Sequence, residues 1–114
     1  MTKGFLAAHP AVVSDLLKAH VQANAFIKSN PTQAQADANA ELATYTGKPL
    51  KADLVAASFK EITFTNDPNA ASLKTAADQA VSLGLLQPVN LDGIYALDPL
   101  NKVLAAAGES QISS

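Results

Sequence analysis

The chain contains no cysteine, no tryptophan, no arginine and only five glycines among 114 residues. Without cysteine there is neither a disulfide framework nor a thiolate zinc site, and the chain suits a reducing or an oxidising compartment equally. Without arginine it lacks the planar fork that grips a carboxylate, phosphate or sulfonate through two parallel hydrogen bonds. Oxyanion recognition would therefore fall to its eight lysines or to helix amino ends. Charge of one sign is not massed anywhere: ten acidic residues and eight lysines are scattered to a net charge of -2, which excludes the basic footprint of a nucleic-acid or anionic-membrane binder. Long apolar runs are missing as well. The stretch from Met1 to Ala8 is cut short by His9 and Pro10, too brief for a signal-peptide core or a membrane span, so neither is expected in this chain. The glycines Gly4, Gly47, Gly84, Gly93 and Gly108 never approach the spacing of a phosphate-binding loop.

What is abundant is alanine, about a fifth of all residues, and alanine is the best helix former. Four prolines follow residues able to start or cap a helix: Pro10, Pro31, Pro68 and Pro99. Proline is tolerated at the first helical position because the N–H it lacks would have had no partner there. The pattern predicts a mainly α protein of about five helices with at most one short strand. A first helix from Pro10 to about Lys28 carries Val12, Val13, Leu16, Leu17, Val21, Phe26 and Ile27, an apolar surface wider than one stripe. A second opens at Asn30 and Pro31, with Gln33 placed for a capping box, carries Ala34, Ala38, Leu42 and Tyr45, and stops at Gly47. A third runs from about Lys51 to Lys60 and aligns Val55, Phe59 and Ile62.

Residues Ile62 to Thr65 alternate apolar with polar, the period of a half-buried extended segment. Asp67 is expected to cap a fourth helix that reaches Leu83, with Gly84 ending it. The breakers Pro88, Asn90 and Gly93 predict a loop from Leu85 to Gly93. Asp98 is expected to cap a last helix from Pro99 to Ala107, with Leu100, Val103, Leu104 and Ala107 inward. Residues 1–108 then form one helical segment, and the polar stretch 109–114 a disordered tail. The spacing of the helix-start prolines is uneven, which argues against a solenoid of equal repeats.

Few residues offer chemistry. His9 and His20 have no ligand partner at the spacing that places two groups on one helical face, so His9 reads as a helix-entry residue and His20 as a partly buried helical position. The serines Ser14, Ser29, Ser58, Ser72 and Ser82 lie in or at the ends of helices rather than in a glycine-framed elbow. Asp37 and Glu41 could share a helix face, but a like-charged pair on a solvated helix is commonplace. No nucleophile, base and orienting group can be assembled, so the chain is not read as an enzyme and no catalytic residue, cofactor or metal is assigned. Among the aromatic residues Tyr95 is the least committed to a core, because it lies in a loop beside Asp92 and Gly93; it is the one weak candidate for ligand binding.

The order of segments carries more. Phe5 to Val13, Leu16 to His20, Asn30-Pro31, Thr46 to Pro49, Phe64 to Pro68, Leu83 to Leu86, Leu91 to Tyr95 and Leu100 to Leu104 resemble the carboxy-terminal third of the extracytoplasmic substrate-binding proteins of ABC importers for aliphatic sulfonates, taurine and nitrate. The resemblance spans nearly all of the chain from Lys3 to Gly108. It implies a non-enzymatic parent of about three times this length, a type II periplasmic binding protein with two α/β lobes that close on a small organic anion and deliver it to a permease outside the cytoplasm. This chain would then supply the helical cover of one lobe. Most ligand contacts of the family belong to the missing front portion, so the resemblance assigns none here. The apolar patterning agrees with cladding for an absent sheet. The isolated chain is accordingly expected to expose apolar surface and self-associate. The competing reading is a self-contained helical domain that binds another protein.

Overall fold

A computed structural model describes residues 1–113. It is mainly helical, with six helices and no strand among the described residues: α1 Lys3–Ala8, α2 Pro10–Ser29, α3 Pro31–Thr46, α4 Ala52–Lys60, α5 Ala70–Ser82 and α6 Leu97–Ala106. Pro10 and Pro31 each stand at a first helical position, and Gly47, in the left-handed conformation at φ 82°, ends α3 through its amide bond to the Ala43 carbonyl. Among the described residues, no helix is long and apolar enough to cross a membrane.

Several local expectations are corrected. A short helix, α1, precedes the first expected one; Thr2 Oγ1 accepts from the Phe5 amide at 3.1 Å and caps it. The Asn30–Gln33 capping box does not form, because the Asn30 amide donates to Ser29 Oγ and Gln33 turns forward to donate to Asp37. Asp67 caps no helix directly: its carboxylate accepts from the Asn69 amide in an Asx turn. Asn69 then takes the left-handed conformation at φ 58°, and α5 begins only at Ala70. The last helix starts earlier than expected, at Leu97, with Asp98 and Pro99 inside its first turn. Proline is acceptable there because the opening amides of a helix have no internal partners. Ile62 to Thr65 joins no sheet, since no second strand exists among the described residues to pair with it.

The chain divides into two units. The first comprises residues 1–18 and 67–114; the second is residues 19–66. The first unit buries Val13 together with Leu100, Val103 and Leu104, three of the four inward positions predicted for the last helix; the fourth, Ala107, is exposed at the C-cap, one residue past the helix end. Leu104 is only 1% exposed. Asn101 of α6 makes two hydrogen bonds with the backbone of Ile112 beyond the helix, donating to its carbonyl at 2.9 Å and accepting from its amide at 2.8 Å. Ser114, the end of the expected tail, lies outside the described residues.

The second unit buries Val21, Ala34 and Val55, and with them Asn24, 6% exposed. Here α3 and α4 approach each other closely. Asn39 ties their connector back by donating to the Leu50 carbonyl and accepting from its amide, at 2.9 and 2.8 Å.

The buried apolar set is small, and much of the predicted apolar surface stays open. On α2 the inward line is Val13, Leu17, Val21 and Asn24, whereas Val12 and Leu16 are 57% and 61% exposed. Phe26, Leu42, Tyr45, Leu54, Leu85, Val89 and Ile94 are exposed too.

Candidate functional site

Tyr95 belongs to the first unit, where the carboxyl end of α5 gives way to the loop of breakers. Gly84, at φ 70°, turns the chain out of the helix, and the Leu85 amide bonds back to the Ala80 carbonyl. Further along, Asn90 Oδ1 accepts from the Asp92 amide at 2.7 Å, and the Ile94 amide bonds to the Leu91 carbonyl, so two consecutive turns fold residues 90–94. Between this loop and α5 lies an open groove of about 720 Å³. Ala71, Ala77 and Val81 form the helical wall, while Val89, Ile94 and Tyr95 form the loop wall. Alanine at positions 70, 71 and 77 of α5 leaves room that larger side chains would fill.

Two charged side chains reach the groove from α5, but Lys74 donates to Asp78 at 2.8 Å and the pair spans one helical turn. Asp92 adds a carboxylate to the lining. Its lining residues therefore offer apolar contact and balanced or negative charge, with no unpaired cation among them for a small anion. Tyr95 is half-buried on its wall, and its loop neighbours Asp92 and Gly93 line the same space.

The other residues weighed in the sequence stay apart. His9 is exposed with its ring 4.8 Å from that of Phe5, and Asp37 is held by Gln33. No group of three or more metal-ligating side chains gathers among the described residues.

Asn24 is a buried polar residue that a search for apolar residues alone passes over. Its Nδ2 lies 2.6 Å from Asn66 Oδ1, 3.0 Å from the Thr65 carbonyl and 3.2 Å from His20 Nε2. An amide nitrogen has two hydrogens, so the two shorter contacts use both, and the longer approach of His20 closes the cluster. His20 itself is exposed rather than partly buried, because its ring lies along the polar Asn24 and not in an apolar face. The signal available in the sequence was the position of Asn24, three residues after Val21 on the inward line of α2.

Comparison of the chain with protein-family models, with curated proteins and with solved structures gives no match.

Proposed function

We propose that this chain acts by association rather than catalysis, as a helical segment of an extracytoplasmic solute-binding protein whose intact form captures a small organic anion of the sulfonate, taurine or nitrate type for an ABC permease. The observation that carries the reading is the imbalance between a small buried apolar set and large apolar side chains left open on α2, α3, α4 and the loop after α5. Extensive apolar surface on a folded chain implies a covering partner. A sheet lying on these helices is such a cover, and the ordered motifs from Phe5 to Leu104 favour that kind of parent. No residue of this chain is assigned a direct contact with the anion, and Lys74, already paired with Asp78, is not a free cation for one.

The gene sequence on the amino-terminal side of Met1 tests this. Continuation into a strand-rich region headed by a secretion signal supports it; an upstream region that encodes no such polypeptide overturns it. The open α5 groove favours a second reading, a helical module that docks another protein, and the same upstream sequence separates the two.

A further inference from the structure

The second unit carries its own groove, of about 500 Å³, formed by the end of α2, the start of α3, α4 and the residues that follow α4. Ile27, Phe59, Ile62 and Phe64 give it an apolar floor. The rings of Phe59 and Phe64 meet at 5.3 Å in a tilted arrangement, while Ile62 remains 52% exposed. Lys28 and Lys60 also line the groove, and no carboxylate does. Neither lysine forms an ion pair among the described residues, unlike Lys18 and Lys74. Each occupies the last turn of its helix, where the dipole favours a cation. That explains their place along α2 and α4, but not why both front one apolar surface.

We propose that this groove docks an acidic amphipathic segment of another polypeptide, its apolar side chains on the Phe59–Phe64 floor and its carboxylates at Lys28 and Lys60. Charge complementarity fixes the choice of occupant: within a chain of net charge -2, this groove is lined by two cations and no anion. Among the described residues, no backbone hydrogen bond involves residues 62–64, which leaves their N–H and C=O groups available to an arriving strand. The inference uses only residues of the second unit and stands whether or not the transport reading does.

The test is fluorescence anisotropy of the full chain against three labelled peptides, one alternating leucine with glutamate, one leucine with lysine and one serine with glutamate. The leucine–glutamate peptide is expected to bind at least tenfold tighter than either of the others, about 1.4 kcal/mol. The variant K28Q/K60Q is expected to lose about tenfold in that affinity while keeping its helical circular dichroism, whereas the control K48Q/K51Q loses little. Equal or tighter binding of the leucine–lysine peptide overturns the proposal, as does an equal loss in both double variants. Stronger association with anionic phospholipid vesicles than with the leucine–glutamate peptide also overturns it.

Discussion

The two units bury different kinds of side chain. In residues 1–18 and 67–114 the interior is apolar and centred on α6, where Leu100, Val103 and Leu104 sit at the spacing that puts them on one helical face. In residues 19–66 the apolar interior is thinner, with valine and alanine, and Asn24 and Asn39 tie the chain together by hydrogen bonds to sequence-distant backbone. Apolar burial tolerates small shifts, because its free energy depends on area. An amide latch is directional, and removing one partner leaves the other without its hydrogen bond. The first unit should therefore respond to changes of side-chain volume, and the second to changes of side-chain chemistry at nearly constant volume.

Leu104→Ala puts the first half of that contrast under the heaviest load. Truncating a fully covered leucine is expected to cost about 3 kcal/mol, with faster amide hydrogen exchange in α6. Protection in α6 that survives the substitution would show that the α6 cluster does not hold the first unit. Asn24→Leu serves the second half, since it keeps the approximate volume and removes the donor to Thr65 and Asn66. It is expected to cost about 2 kcal/mol, read as lost protection around residues 21–27 in hydrogen exchange. A neutral or stabilising result would mean that apolar packing suffices there as well.

Two further substitutions are expected to have smaller effects. Gly47→Ala places a Cβ in open space but on a left-handed backbone, so the expected cost is conformational, about 1 kcal/mol in urea unfolding. Lys74→Gln removes an ion pair whose two side chains are both mostly in water, and a change within about 0.5 kcal/mol is expected in the same assay. A larger loss there would mean that the wall of the α5 groove depends on the pair.

The helices were legible from proline, glycine and alanine because these residues act through the backbone, whose preferences are local. The inward face of α6 was legible for a related reason: its apolar residues fit a single stripe. On α2 the apolar surface was too wide for periodicity alone to select Val13 and Val21 over Val12 and Leu16. Cap assignments failed where side chains had competing partners nearby, as Asn30 had in Ser29 and Asp67 in the Asn69 amide. Tyr95 was legible as a loop aromatic, but the α5 wall opposite it follows from a tertiary arrangement that no local pattern encodes. Lys28 and Lys60, more than thirty positions apart in sequence, meet one groove for the same reason.

The helices fold with large apolar side chains exposed, and a further structural layer or partner is proposed to cover them. Light scattering coupled to size exclusion, run with an environment-sensitive dye, reads this out: concentration-dependent association and strong dye fluorescence are expected. A monomer at every concentration that leaves the dye dark would contradict it.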